Sequence, residues 1–405
     1  MIETDEILEG LDLSRAEPGI GFLEALFVRF NARVPFENAT KILRHASVAD
    51  PAEKPRRPEL FWQEHLSSGA GGTCFARVEA FRELLAALGF PVVRALGRFG
   101  ADFDHAALFV ERDGRRLLCD VGFPLPGVVP AAPGRYPTAR GAVDVTETPR
   151  GLAIALAEGV PEGPRSIEVF SRPVEPDEFE THWRATFRAG AHFLSGVRLR
   201  VEREGRTLAF SEGAARVDDL HSRLVVPLSP PRARRLSELF GMDEQILENA
   251  LELVGDPESE AGGGSVRAYL ETPAAPEEAF ASIGTAEGYR ALLAGLGTAS
   301  VLGETASGFR LRVCAGEGAG SESFLEEDVT LDRAARRLAV LRRAATGAPA
   351  RFAYSVESRS GATLLIREAL FETAREDLLR NDALRGRLAG SLAVDLLAWS
   401  RQIRR

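Results

Sequence analysis

Residues 69–88 read GAGGTCFARVEAFRELLAAL, and this stretch determines how the N-terminal part of the chain is interpreted. The run of glycines cannot be helical throughout, whereas the apolar side chains after Cys74 recur with helical spacing. Cys74 is therefore predicted to begin an amphipathic helix that Gly89 ends. The dipole and the unpaired N–H groups at a helix N-terminus favour the reactive thiolate.

Taken alone, Cys74 is better explained as a small buried apolar residue, as most free cysteines are. Its position favours a nucleophile instead, because the preceding glycines let a substrate approach the backbone closely. The backbone N–H of Cys74 is then placed to stabilise an oxyanion.

Strands are predicted to follow this helix at residues 91–99, 105–111 and 116–122. Asp113-Gly114 indicates a two-residue hairpin turn between the last two strands. With that turn, Asp120 faces Ala107 and is a diagonal neighbour of His105, within reach of its side chain. A three-residue loop would place the two on opposite faces of the hairpin.

The alternative interpretation is a solvated histidine and an aspartate in a turn. It explains Asp120 poorly, because this carboxylate lies in the apolar run LLCDV and needs a buried partner. An aspartate bonded to one ring nitrogen of His105 leaves the other nitrogen to take the thiol proton. We therefore predict a catalytic triad of Cys74, His105 and Asp120.

Four segments resemble the motifs of the arylamine N-acetyltransferases over about residues 1–255: VPFEN at 34–38, GGTCF at 71–75, HAALFV at 105–110 and DVGF at 120–123. The resemblance implies a papain-like cysteine-triad fold made of a helical bundle, a β-barrel and an α/β lid. It also implies a ping-pong reaction in which Cys74 takes an acetyl group from acetyl-CoA and passes it to an aromatic amine or hydrazine. His105 would be the base and Asp120 would orient it. Phe36 and Phe123 match positions near the substrate pocket, although each is equally explained as core.

The sequence departs from the family pattern at several positions. Ala70 replaces the usual arginine, and Ala76 and Val78 replace polar residues. Pro124 replaces a glycine in the loop that acyl-CoA approaches, so two alternatives stay open. One is an amide synthase of natural-product biosynthesis that uses an acyl donor bound to a carrier protein. The other is a non-catalytic protein that binds an apolar ligand.

The polar, glycine-rich segment GDPESEAGGGS at 255–265 predicts a flexible linker. It divides a catalytic domain at 1–254 from a second domain at 266–405. The second domain is similar to helix-grip domains of the START and polyketide-cyclase type, with an antiparallel sheet on a C-terminal helix. One apolar stripe follows that helix, and Asn381 or Asp382 is its predicted N-cap: Leu384, Leu388, Leu392, Leu396 and Trp399. The predicted fold class of the whole chain is α+β.

Composition argues against several classes of protein. A net charge of -9 argues against a nucleic-acid binder. No apolar stretch reaches the roughly 20 residues of a membrane helix, and the N-terminus does not resemble a signal peptide. Three cysteines give no disulfide framework, which indicates a cytoplasmic location, with Cys119 and Cys314 predicted as core. The histidines show no metal-ligand spacing, so neither a metal nor a prosthetic group is expected.

Overall fold

A computed structural model shows two compact units, Met1–Ala215 with Leu228–Ser259 and Arg216–Pro227 with Glu260–Arg405. The structure describes residues 2–403 apart from 124, 139–140, 158–165, 204, 220, 257–262, 296, 316–323, 345–348, 360–361, 373–374 and 376. Pro124 and most of the predicted linker lie outside the described residues. The domain boundaries predicted at 254 and 266 therefore stay a prediction.

The first unit begins with a helical bundle. Its helices are α1 (Thr4–Gly10), α2 (Ile20–Arg33), α3 (Ala39–Ser47), α4 (Pro58–Ser68), α5 (Cys74–Ala87), α6 (Pro176–Ala185), α7 (Ala233–Phe240) and α8 (Glu244–Val254). Aromatic side chains hold α2, α4 and α5 together, since the Phe30 ring lies 4.8 Å from that of Phe81 and 5.8 Å from that of Trp62. The predicted helix after Cys74 is thus observed as α5.

The first unit also contains an eight-stranded antiparallel sheet in the order β5-β4-β3-β2-β9-β8-β7-β6. Its strands are β2 (Val92–Arg98), β3 (Asp102–Arg112), β4 (Arg115–Cys119), β5 (Val129–Pro130), β6 (Gly134–Thr138), β7 (Gly141–Glu147), β8 (Gly151–Ala157) and β9 (Ser166–Phe170). Helix α5 packs against β3. A short ladder in the same unit joins β1 (Phe36–Glu37), β10 (Leu199–Arg203) and β11 (Arg206–Ser211). Strand β12 (Ala214–Asp218) follows it in the chain.

The predicted β3–β4 hairpin is confirmed in type and register. Arg112 pairs with Arg115 and Leu108 pairs with Cys119, so the loop contains only Asp113 and Gly114. Both loop residues have positive φ, 53° and 70°, as a tight hairpin turn of this kind requires. This turn fixes which residues of the two strands face each other.

The second unit is an antiparallel sheet with helices. The strands run in the order β13-β14-β20-β19-β18-β17-β16-β15. They are β13 (Ser222–Pro227), β14 (Ser265–Thr272), β15 (Gly297–Thr305), β16 (Gly308–Ala315), β17 (Phe324–Asp332), β18 (Arg337–Ala344), β19 (Ala350–Arg359) and β20 (Ala362–Leu370). The helices are α9 (Pro276–Ala281), α10 (Ala286–Leu292), α11 (Asp377–Arg380) and α12 (Asp382–Ile403).

Helix α12 packs against β14 and β20, with Leu392, Leu396 and Trp399 buried. The Asn381 side chain accepts a hydrogen bond from the Leu384 N–H (2.9 Å), which confirms it as the cap. A sheet with a C-terminal helix agrees with the pattern predicted for this part of the chain. The assignment to the helix-grip type itself stays a prediction.

Two features of the second unit differ from expectation. Residues 216–227 group with this unit because β13 pairs with β14, whereas the sequence placed them before the linker. Cys314, predicted as core, is exposed, because it alternates along β16 with the buried Leu311 and Val313. None of the helices in the described part of the chain is long and apolar enough to cross a membrane.

Candidate active site

Cys74 lies at the first position of α5, with its side chain almost fully buried. The glycines before it join the backbone of the VPFEN segment. The Gly72 N–H donates to the Pro35 carbonyl (3.2 Å), and the Glu37 N–H donates to the Gly72 carbonyl (3.1 Å). A Cβ at Gly71 would stand 1.7 Å from the Pro35 oxygen, so only glycine fits there. The glycine-rich sequence thus allows the close backbone approach that fixes the start of α5.

His105 and Asp120 lie together, as the hairpin register predicts. The His105 Nε2 and the Asp120 Oδ2 are 2.6 Å apart, and both side chains are buried. The second oxygen of Asp120 accepts hydrogen bonds from the backbone N–H groups of Gly122 (2.9 Å) and Phe123 (2.8 Å). The carboxylate is therefore fully engaged and fixes the orientation of the imidazole.

The remaining ring nitrogen of His105, Nδ1, is not engaged by Asp120, and the ring lies close to Cys74: a Cβ at Gly122 would stand 3.1 Å from the His105 Cε1 and 2.5 Å from the Cys74 Cβ. Burial disfavours the charged imidazole, but the negative charge and hydrogen bond of Asp120 and the contact with Cys74 outweigh it. Together they raise the pKa of His105 to about 10. The structure thus brings the three predicted residues together around a cationic histidine.

The two phenylalanines predicted near the pocket occupy different surroundings. The Phe123 ring is buried, with its centroid 6.5 Å from that of His105. Phe36 is half-buried on β1, and its ring lies 5.3 Å from the ring of Phe193. The Arg200 guanidinium stands over the Phe36 ring at 5.1 Å. Phe123 thus lies beside the histidine, whereas Phe36 belongs to a separate aromatic group.

Arg77 on α5 was not identified from the sequence. Its side chain connects the segments that surround the site. Its buried guanidinium donates to the Val121 carbonyl (2.8 Å), to the Asn31 side chain (2.7 Å) and to the Val34 carbonyl. It joins α2 and α5 to the loop that follows Asp120. The signal in the sequence was a single charge among the apolar residues at the start of α5.

Glu37 and Asn38 of the VPFEN segment were also missed, and both are fully buried. Glu37 accepts from the Thr40 N–H (2.9 Å) at the start of α3. The Asn38 amide donates to the carbonyls of Phe193 (3.1 Å) and Gly196 (2.9 Å). The Asn38 oxygen accepts from the Arg198 N–H (2.7 Å). Asn38 therefore holds the segment 193–198 against α3.

The departure at position 70 also has a structural setting. Ala70 is fully buried, and a guanidinium near Gly72 comes from Arg56 instead, whose Nη2 is 3.1 Å from where a Gly72 Cβ would stand. Arg56 is buried and pairs with Glu64 (2.6 Å). The guanidinium near Gly72 is thus supplied by the α3–α4 connection.

Cys119 is buried as predicted, and its burial, with the nearby charge of Asp120, raises the pKa of this thiol far above its ordinary value. Within the described residues, no group of three or more histidine, cysteine or acidic side chains is arranged to hold a metal ion.

Residues 20–147 match the family model for N-acetyltransferases. No curated protein matches the chain. Among solved structures, a variant of a Mycobacterium smegmatis N-arylamine acetyltransferase aligns with a TM-score of 0.56 and 21% identity over 63% of this chain and 99% of its own. The Mycobacterium marinum arylamine N-acetyltransferase in complex with CoA aligns with a TM-score of 0.55 and 18% identity, over 62% and 99%.

A Bacillus cereus arylamine N-acetyltransferase described as having a Cys-His-Glu catalytic triad aligns with a TM-score of 0.52 and 16% identity, over 60% of this chain and 100% of its own. At these identities the structural likeness establishes the fold of this part of the chain. The match of residues 20–147 to the family model is independent of the structural likeness, and it confirms the resemblance stated from the motifs. Residues 20–147 are thus similar to the N-acetyltransferase family, and this part of the chain has the fold of the arylamine N-acetyltransferases.

Proposed function

We propose that the chain transfers an acetyl group from acetyl-CoA to an aromatic amine or hydrazine through a thioester on Cys74. One observation carries this proposal: Asp120 holds His105 at 2.6 Å, and the His105 ring lies close to Cys74 at the start of α5. A nucleophile, a base and a residue that orients the base are the parts that acyl transfer through cysteine requires.

In the first half-reaction the Cys74 sulfur attacks the thioester carbonyl of acetyl-CoA. The bond from the carbonyl carbon to the CoA sulfur then breaks, and His105 gives its proton to the departing CoA thiolate. A cationic His105 favours the Cys74 thiolate before the attack, because opposite charges lie in contact within a buried site. The backbone N–H of Cys74, at the helix N-terminus, is placed to stabilise the tetrahedral oxyanion.

In the second half-reaction the neutral amine attacks the acetyl carbon on Cys74. His105, neutral after the first step, takes a proton from the amine nitrogen while the bond to the sulfur breaks and the thiolate is restored. Asp120 stabilises the imidazolium that forms at this step and keeps the tautomer that leaves Nδ1 facing the sulfur.

Acetyl-CoA is the proposed donor because the family match covers the residues around Cys74, His105 and Asp120 and because a structure of similar fold is described in complex with CoA. The acceptor is proposed as a small aromatic amine, and Phe36 and Phe123 are proposed to contact it. No metal or prosthetic group enters this chemistry, since the thiol and the imidazole supply the nucleophile and the proton transfer.

For the second unit we propose a helix-grip domain at 266–405 that holds an apolar ligand, joined to the catalytic domain at 1–254 by the segment 255–265. An antiparallel sheet with α12 packed on β14 and β20 supports this proposal. The domain carries no proposed catalytic residue.

The proposal is tested by the intact mass of the protein after brief exposure to acetyl-CoA. We expect one acetyl adduct, lost in Cys74→Ala and retained in Cys314→Ala, which removes the exposed thiol instead. An adduct that survives in Cys74→Ala contradicts the assignment of the nucleophile. A folded protein that forms no adduct excludes acetyl-CoA as donor, and adduct formation from a carrier-bound thioester under the same conditions then favours an amide synthase.

A further inference from the structure

Arg77, the fourth residue of α5, is a buried cation that the proposed chemistry does not use. Its side chain is 1% exposed, and its guanidinium carbon lies 4.8 Å from the centroid of the Phe30 ring. The Asn31 oxygen that accepts from Nη2 belongs to an amide that itself donates to the Phe27 carbonyl (3.0 Å). Since a buried charge is weak evidence for stability, this well-fixed guanidinium points to a role in positioning.

One of the Arg77 hydrogen bonds ends on the peptide group between Val121 and Gly122. The Arg77 Nε donates to the Val121 carbonyl at 2.8 Å. The N–H of the same peptide group, that of Gly122, donates to the Asp120 Oδ1 at 2.9 Å. Because the carbonyl and the N–H of a peptide group share one plane, fixing the direction of the first fixes that of the second. Arg77 and Asp120 thus hold this peptide group from its two sides.

The orientation of this peptide group affects the site in two ways. Asp120 uses Oδ2 for His105 (2.6 Å), while its Oδ1 is held by the N–H groups of Gly122 and Phe123. A rotated peptide group would remove one of these two bonds and leave the carboxylate less constrained beside the imidazole. It would also move Gly122, whose Cβ, if present, would stand 2.5 Å from the Cys74 Cβ. The geometry of all three proposed catalytic side chains therefore depends on this peptide group.

The shape of the guanidinium explains how α2 determines that orientation. Nη1 of Arg77 donates to the Val34 carbonyl at the end of α2, and Nη2 donates to the Asn31 side chain within α2. The donors of a guanidinium lie in one rigid plane, so these two bonds fix the direction in which Nε points. The loop after Asp120 is thereby referred to α2 through a single side chain.

We propose that Arg77 is a positioning residue, which fixes the 121–122 peptide group through the Val121 carbonyl and so orients Asp120 and His105. The inference rests on the function proposed above, because it concerns the thiol and the base of that same site. Both neighbours of Arg77 on α5, Ala76 and Val78, are apolar, so they offer no side-chain donor in its place.

Two substitutions separate the contact with Val121 from the charge. Arg77→Lys keeps the charge but places a methylene group where Nε stands, so the bond to Val121 is lost. Arg77→Gln places an amide nitrogen where Nε stands, so this bond can form while the charge is lost. The readout is the rate at which iodoacetamide alkylates Cys74 as a function of pH, measured by peptide mass spectrometry. The exposed Cys314 is the reference within the same molecule.

We expect Arg77→Lys to slow the alkylation of Cys74 about tenfold at pH 6.5 and to move the midpoint of the profile towards the ordinary thiol value of about 8.5, because a misoriented imidazolium stabilises the thiolate less. Arg77→Gln should stay within about threefold of the wild type. Arg232→Lys is the matched control, since Arg232 is also fully buried and its Nε donates to a backbone carbonyl, that of Leu228, at 2.6 Å. Its profile should coincide with that of the wild type.

A wild-type profile in a folded Arg77→Lys protein overturns the proposal. Slow alkylation in Arg77→Gln also overturns it, because the charge and not the bond to Val121 would then control the thiol. An equal shift in Arg232→Lys does the same, since a general loosening of the fold would explain it. If Arg77→Lys does not fold, Arg77→Gln carries the test by the same criterion, and a wild-type profile supports the proposal.

Alkylation separates this inference from the proposed function. The reaction needs no acyl donor, so the profiles report on the positioning of Cys74 and His105 whether or not acetyl-CoA acylates the protein. The intact-mass experiment described above decides the donor. A shifted profile in Arg77→Lys with no acetyl adduct on the wild type would therefore support the role of Arg77 while excluding acetyl-CoA.

Discussion

Gly122 lies against Cys74 so closely that a Cβ at position 122 would stand 2.5 Å from the Cys74 Cβ and 3.0 Å from its Cα. The same Cβ would be 3.1 Å from the His105 Cε1. Gly122 therefore belongs to the packing between Cys74 and His105. The Gly122 N–H also donates to Asp120, so this one residue touches all three proposed catalytic side chains.

Gly122→Ala is expected to lower kcat/KM at least about 100-fold, because the new methyl group must move Cys74 or His105 and a misplacement of about 1 Å has an effect of this size. Overpacking should also reduce the free energy of unfolding by about 1–3 kcal/mol. Gly127→Ala is the control, since nothing lies within 4 Å of a Cβ there. Steady-state kinetics and urea unfolding of both variants check this prediction, and equal activities would show that Gly122 does not limit the site.

The cationic state of His105 leads to a prediction about thiol reactivity. Its pKa of about 10 keeps the imidazolium next to Cys74 at pH 6.5, which favours the thiolate. We expect Cys74 to react with iodoacetamide faster than Cys314 at this pH, and His105→Gln to slow Cys74 about tenfold or more. Cys314 is exposed on β16 and serves as the reference within the same molecule. Peptide mass spectrometry measures both rates, and an unchanged Cys74 rate in His105→Gln contradicts the ion pair.

His65 on α4 predicts a dependence of stability on acid pH. Burial, with the nearby charges of Arg77 and Arg56, lowers the pKa of His65 from its ordinary 6.5 to about 4, although the hydrogen bond to the Ala70 carbonyl (3.0 Å) opposes this. Because the pKa in the folded state is the lower one, the stability is fully present above pH 6.5 and is lost as the pH falls towards 4. The loss amounts to about 3 kcal/mol.

His65→Gln keeps an N–H donor but does not titrate, so its free energy of unfolding should fall less steeply between pH 6.5 and 4 than that of the wild type. Urea unfolding at pH 4.5, 5.5 and 7 gives the comparison. Other groups that titrate in this range are the same in both proteins and cancel in the difference. Parallel curves for the two proteins would exclude His65 as the source of the pH dependence.

Part of the site follows from local sequence. The Asp113-Gly114 turn allows one register, which brings His105 and Asp120 into contact, and the glycines before Cys74 mark where α5 must begin. Each inference depends on residues close together in the chain. The geometry of these features could therefore be predicted before the structure was known.

The other features of the site and the fold depend on contacts between segments distant in the chain, which local sequence patterns do not encode. Lys41 is a charge on a short helix, and its burial comes from Phe187 and Phe193, about 150 residues further along the chain. Arg77 finds its acceptors at Asn31, Val34 and Val121. The pairing of β13 with β14 crosses the predicted linker, which explains why the sequence assigned 216–227 to the other unit.

The core of the second unit depends on Trp399 of α12, whose side chain is fully buried. Its ring N–H donates to the Ala279 carbonyl (3.2 Å) and the Ser282 hydroxyl (2.9 Å), and the Tyr354 ring packs edge-on at 5.8 Å. Trp399→Ala should therefore lower the free energy of unfolding by about 3–5 kcal/mol, since it leaves a large cavity and removes both hydrogen bonds. Val394→Ala on the same helix, at a position 65% exposed, should change it by no more than about 0.5 kcal/mol. Urea unfolding measures the difference, and similar midpoints for the two variants would mean that α12 is not held to its sheet through Trp399.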